Sequence, residues 1–289
     1  MQRRTLLASA ATLATAGLAG CSGLGGDGGY GGGNGGDGDG TPTPVPASDV
    51  EWREGDGLNV EVLLESHTTA LVEAGSFRVV STADTSHDGD ERPKDWLFSQ
   101  TYESRFELER ERQFLEQDLT ELEETQTAYV ADGTALYRIE KDGEVQYSSE
   151  PVERTTAEFK KAMEQEAGAG VRGLDQWALS VDGAVARDGR ELTRFVADEF
   201  TGERGIPSEI ESASAEVLID SDGVVRSISQ TWEGTHEEQS VTVGVDIEFQ
   251  GVGETTVAEP EWADEARSSG GTATESDGSN TSGKLRGGL

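Results

Sequence analysis

The sequence predicts an α+β protein: a strongly curved antiparallel sheet, a half-barrel, with a few helices covering its concave face. Three observations predict it. Long runs alternate apolar and polar residues with period two, as half-buried strands do. Asp-Gly pairs punctuate those runs, and Asp-Gly between alternating segments signals a hairpin. Two segments of helical period stand apart from the runs, one before the first set and one between the sets. A flat sheet of such long strands would leave one apolar face in water, so curvature and a helical cover follow.

The elements follow in chain order. Val60, Leu63, Leu64, His67, Leu71 and Ala74 recur at helical spacing, and Gly75 stands where a C-cap belongs. The period then changes to two. Trp96, Phe98, Gln100, Tyr102, Ser104, Phe106 and Leu108 form one face of a strand whose other face carries Ser99, Thr101, Glu103, Arg105 and Glu107. Asp132-Gly133 and Asp142-Gly143 divide Tyr129–Tyr147 into a three-stranded meander. Thr155 and Glu158 make a capping box for a second helix, with Phe159, Ala162 and Met163 on one face before Gly168. The stretch Leu174–Phe200 reads as a short helix followed by a strand at Leu192–Phe200. A second meander spans Ala215–Phe249. It carries Ala215, Val217 and Ile219, then Val224, Ile228 and Trp232 after Asp222-Gly223, then Val241, Val243, Val245, Ile247 and Phe249.

The ends are of another kind. Residues 1–20 open with Arg3-Arg4-Thr5 before an uncharged, Ala-rich stretch from Leu6 to Leu18. Thirteen residues are too few for a bilayer core, which needs ~20, so this is a secretory signal. The Arg3-Arg4 pair before a weakly apolar segment resembles a twin-arginine export signal. Leu18-Ala19-Gly20-Cys21 matches the lipobox of prokaryotic lipoproteins, which implies a lipid on Cys21 and a new N-terminus there. Residues 21–48 are Gly-rich and end in alternating prolines, a tether with a reach of roughly 30 Å. Residues 49–267 form the half-barrel domain, and 268–289 read as a disordered tail with a glycosylation sequon at Asn280.

Lys and Arg total 23 against 57 Asp and Glu, a net charge of −34. That balance excludes nucleic acid as a partner, because phosphate binding needs clustered cations. Five of the basic residues are Lys and eighteen are Arg. Abundant acid with scarce Lys resembles the proteins of salt-loving archaea, whose surfaces stay soluble where the Debye length is ~3 Å at 1 M salt.

No constellation specifies a reaction. His67 lies on the apolar side of its helix as a core residue, and His87 and His236 fall in predicted polar loops, so no metal site is expected. There is no G-x-S-x-G, and Cys21 is the sole cysteine. Asp220-Ser221-Asp222-Gly223 begins like a calcium loop, but Thr231 occupies the position that requires Glu, so a hairpin is expected. The expectation is a protein that is not an enzyme and uses no cofactor.

The order of helix, meander, helical insert and meander resembles the half-barrel of bacterial lipoprotein carriers and of mycobacterial lipid-binding lipoproteins. It is also similar to a group of haloarchaeal surface lipoproteins. The residues carrying this are Ala74-Gly75, Phe77-Arg78-Val79-Val80, Ala128-Tyr129-Val130, Ala135-Leu136-Tyr137 and Pro260-Glu261-Trp262. The resemblance implies a protein held by its lipid on the extracellular face of the membrane, binding an apolar ligand such as a lipid or acyl chain. Trp96, Phe98, Tyr102, Phe106, Trp232 and Val245 would line the site. The alternative is a structural or interaction module of the cell envelope, with those residues filling a core.

Overall fold

Asn59 starts the first helix by accepting a hydrogen bond from the Val62 N–H at 3.2 Å, in the extended conformation of an N-cap. Helix α1 runs Val60–Ala74, and Gly75 ends it at φ 76°, a left-handed conformation that glycine adopts without strain. The computed structural model describes residues 50–89, 99–202 and 207–269. The sequence-read positions Arg3, Arg4, Cys21, Trp96, Phe98 and Asn280 lie outside the described residues.

Before α1, β1 (Arg53–Glu54) and β2 (Gly57–Leu58) make a short antiparallel pair. After it, β3 (Ser76–His87), β4 (Gln100–Glu107), β5 (Arg112–Leu119), β6 (Glu124–Ala131), β7 (Thr134–Lys141) and β8 (Glu144–Pro151) form one meander. Helix α2 (Thr156–Ala167) and a 3-10 helix (Val171–Gln176) intervene. The capping box is present: Thr155 accepts from the Glu158 N–H, and Glu158 accepts from the Thr155 N–H at 2.7 Å. Strands β9 (Ser180–Arg187), β10 (Arg190–Ala197), β11 (Glu209–Ile219), β12 (Val225–His236) and β13 (Gln239–Gln250) form the second meander. The last of these pairs with β3, with Val245 opposite Ala83 and Phe249 opposite Val79, so both meanders belong to one 11-stranded antiparallel sheet.

The turns follow from local chemistry. Both residues of Asp132-Gly133 and Asp142-Gly143 have positive φ, as a two-residue hairpin turn of the favoured hand requires. The Leu174–Phe200 stretch differs from its sequence reading. Its helix is the 3-10 turn, and a third such pair, Asp188-Gly189, joins β9 to β10. Strand β9 gives a weak signal because Gly183, Ala184 and Ala186 offer little apolar contrast at a sheet edge. Asp220 builds the β11–β12 connection, accepting from the Asp222 and Val224 N–H groups at 3.0 and 2.9 Å and from Arg226 Nε at 2.8 Å.

The sheet curls around its helices. Phe106 of β4 and Phe195 of β10 are five strand-to-strand steps apart, about 24 Å on a flat sheet. Both belong to one core with Leu63 and Leu71 of α1 and Phe159 and Met163 of α2. Register shifts at Arg194/Phe195 and Leu218/Ile219 add bend to the native twist. The fold is therefore the expected α+β half-barrel with helices on its concave face.

His67, fully buried, joins three of these elements. Its Nε2 donates to the Ala167 carbonyl at 3.1 Å and its Nδ1 accepts from the Val225 N–H at 3.1 Å. The Phe249 ring stands edge-on at 4.5 Å. Burial pulls its pKa down from 6.5 to about 4, so the imidazole is neutral, as that pairing needs. His87 and His236 end β3 and β12, and do not lie in loops as the sequence reading had them.

A second cluster lies on the convex face. Tyr129, Ala131 and Leu136 are covered by Val257, Ala263 and Ala266. The short helix α3 (Ala263–Ser269) reaches two residues past the expected domain end at 267. Trp262 stacks on Tyr147 at 6.4 Å, and the Val257 N–H donates to Glu107 Oε2 at 3.0 Å.

Candidate functional site on the inner face of the sheet

Strand register places the inner-facing side chains in rows that cross the whole sheet. One row begins Phe195, Val217, Ile228, Ile247, passes Ser81 and Tyr102, and continues Gln117, Gln126, Ile139. The adjacent row runs Phe249, Val79, Ser104, Leu115, Ala128, Tyr137. Chemical character changes along both rows. The second-meander side is apolar and belongs to the helix-covered core. Beyond β4 the rows mix glutamines with Leu115, Ile139 and Tyr137, outside that core, and Leu115, Gln117, Gln126 and Ile139 are half-buried.

The structure places the sequence-read ligand residues mainly in the filled half. Phe106 is 1% exposed, with ring centroids 5.2 Å from Phe77 and 5.9 Å from Phe159. Trp232 is 0% exposed, with Trp177 at 4.8 Å and Phe200 at 5.4 Å. Val245 is buried opposite Gln230 and Ala83. Phe106 and Trp232 thus belong to two ring groups, on strands separated by β3 and β13. Among the described members of this set, Tyr102 alone lies where the rows change character, half-buried on β4.

Against Tyr102 stands a group that the sequence reading missed. Glu166, in the last turn of α2, is 8% exposed. Burial pushes its pKa from 4.5 up to about 7, opposed only by the hydrogen bond donated by the Tyr102 hydroxyl. Burial and the neighbouring Glu166 together raise the Tyr102 phenol far above its ordinary value. Glu166 Oε1 has no hydrogen-bond partner of good geometry among the described residues. The same holds for Ser104 Oγ, fully buried two residues from Tyr102 on the same strand face, where its hydroxyl lies near enough to the phenol to oppose the rise of the Tyr102 pKa. One signal could have found Glu166. It follows Phe159 and Met163 at i+7 and i+3, on the buried face of the helix. In a chain with 57 acids, that spacing alone does not separate it from the solvated ones.

A carboxyl that titrates near neutrality, a phenol and a hydroxyl offer both hydrogen-bond donors and acceptors, with no cation among the causes that set the Glu166 pKa. Among the described residues, no group of three His, Cys, Asp or Glu side chains could hold a metal ion. Nor is any described helix long and apolar enough to cross a membrane.

The chain matches a family model over residues 7–266, described as a family of unknown function, DUF7537. No curated protein matches it. Among solved structures it is similar to LprF from Mycobacterium bovis, at 13% identity and TM-score 0.39, over 72% of this chain and 100% of that one. It is also similar to the Mycobacterium tuberculosis lipoprotein LppX, at 9% identity and TM-score 0.35, over 69% of this chain and 99% of that one. A LolA superfamily protein from Nitrosomonas europaea matches at 8% identity and TM-score 0.23, over 69% and 94% of the two chains.

Proposed function

The chain belongs to DUF7537, a family of unknown function, and from that premise we propose that it is a lipid-anchored protein on the extracellular face of the cell membrane whose half-barrel binds an amphiphilic, mainly apolar ligand. Arg3 and Arg4 direct export, and Cys21 carries the lipid, in keeping with the order of signal, lipobox and tether. The protein binds and does not catalyse.

One observation carries the ligand reading. The rows of the inner face leave the helix-covered core at Tyr102 and continue as half-buried Leu115 and Ile139 among glutamines. A mostly apolar wall with a few polar groups is the composition of a ligand site. An alkyl chain laid there would remove Leu115 and Ile139 from water, at about 25 cal/mol per Å² of apolar surface covered. The ring packing at Phe106 and Trp232 favours a second reading, an interaction module with a filled interior.

A neutral fluorescent alkyl probe separates the two. Titrated into the full-length protein at high salt, it should bind saturably. Leu115→Glu should abolish binding while leaving the melting transition in place. Absence of saturable binding, or binding indifferent to Leu115→Glu, would decide for the interaction module.

A further inference from the structure

We infer that Glu166, Tyr102 and Ser104 form a head-group subsite that selects a ligand ending in an uncharged hydroxyl and rejects one ending in a carboxylate. The inference rests on the ligand reading above and adds to it the chemical class of the head.

Three features of the geometry point there. First, the set stands where a bound chain would end. Tyr102 and Ser104 are inner-face residues of β4, the last strand before the rows turn toward Leu115 and Gln117, and Glu166 of α2 lies against Tyr102. Second, it has unmet capacity. Glu166 Oε1 and Ser104 Oγ are buried without a hydrogen-bond partner of good geometry among the described residues, and such groups carry a desolvation cost that a ligand atom would relieve. A hydroxyl has the matching chemistry, able to donate to the Glu166 oxygen and to accept from the Ser104 O–H. Third, the sign of charge is wrong for an acid. Glu166 is itself a buried carboxyl, and among the described residues no arginine or lysine figures among the causes that set its titration. Two buried carboxyls at one site could not both ionise.

The test compares three heads on one chain. Oleyl alcohol, oleate and oleylamine are titrated by calorimetry into the full-length, unlipidated protein at high salt and mildly alkaline pH. The alcohol should bind at least about tenfold more tightly than oleate. Glu166→Gln keeps the shape and an acceptor oxygen but removes the charge. It should leave the alcohol within about threefold and tighten oleate at least about tenfold. Ser104→Ala should weaken the alcohol about fivefold, the value of one hydrogen bond near 1 kcal/mol. The melting transition of each variant confirms folding. Oleate binding as tightly as the alcohol, or oleylamine binding more tightly than either, overturns the head-group assignment and leaves the apolar-ligand reading standing. No binding of any of the three overturns both.

Discussion

Glu166→Gln makes a prediction about stability that needs no ligand. The folded carboxyl titrates at about 7, against 4.5 for the ordinary group. Its folded pKa is raised, so the associated stability is fully present below pH 4.5 and lost as pH rises through about 7. At 1.36 kcal/mol per pH unit the full loss is about 3 kcal/mol above pH 8. Gln has no proton to lose and escapes that penalty, but it gives up part of the hydrogen bond from Tyr102, worth about 1 kcal/mol. The variant should therefore match or fall slightly below the parent near pH 4.5 and exceed it by about 2 kcal/mol in the alkaline range. For a domain of this size that is about 4–8 °C in Tm. Thermal unfolding of both proteins across this range, in about 2 M KCl to hold surface repulsion constant, gives the difference directly. The reasoning fails if the two melting curves stay a fixed distance apart at every pH.

The remaining predictions concern other parts of the molecule. His67 has a folded pKa of about 4 against 6.5, so its stability contribution is present above 6.5 and falls by up to about 3 kcal/mol as pH drops through 4. His67→Phe should flatten that acid limb. It should also cost about 2–4 kcal/mol at neutral pH, because the Ala167 carbonyl and Val225 N–H lose their partner. Trp232→Ala should cost about 3–5 kcal/mol by opening a cavity beside Trp177 and Phe200, read from chemical denaturation. Tm should rise steeply with KCl from dilute to molar, since a net charge of −34 repels itself over a Debye length of ~30 Å at 0.01 M; a flat salt profile would contradict this. Cys21→Ser should leave the protein in the medium or unprocessed, and retention of a processed form in membranes would count against the anchor.

Local chemistry made much of the architecture readable. Helix α1 was marked by its spacing and by Gly75, whose φ of 76° is the conformation that a C-cap glycine is chosen for. The Thr155–Glu158 box and the Asp-Gly turns were equally explicit, because each is settled within a few residues. What escaped depended on distance or on contrast. The β9–β10 hairpin was hidden by small residues at a sheet edge, where packing exerts little selection. The joining of the two meanders through β3 and β13 has no local signal at all, since Ala83 and Val245 only reveal their pairing in space. Glu166 was illegible for a third reason. Its type is abundant on this surface, and only tertiary burial separates it from the rest.

The β3–β13 seam also sets the order in which this molecule can be made. Each meander is a chain of short hairpins, which close in microseconds. The seam instead brings together segments roughly 160 residues apart, the kind of pairing that slows folding. It places the last strand of the sheet at its centre, so two half-sheets wait with β3 and β12 as open, apolar-sided edges until residue 250 is available. Such edges recruit other chains. A chain ending before Gln239 would therefore not be a slightly weaker version of this protein: it would be two adhesive fragments on one thread. Protection of the emerging edges during synthesis should then govern yield more strongly than any single core contact.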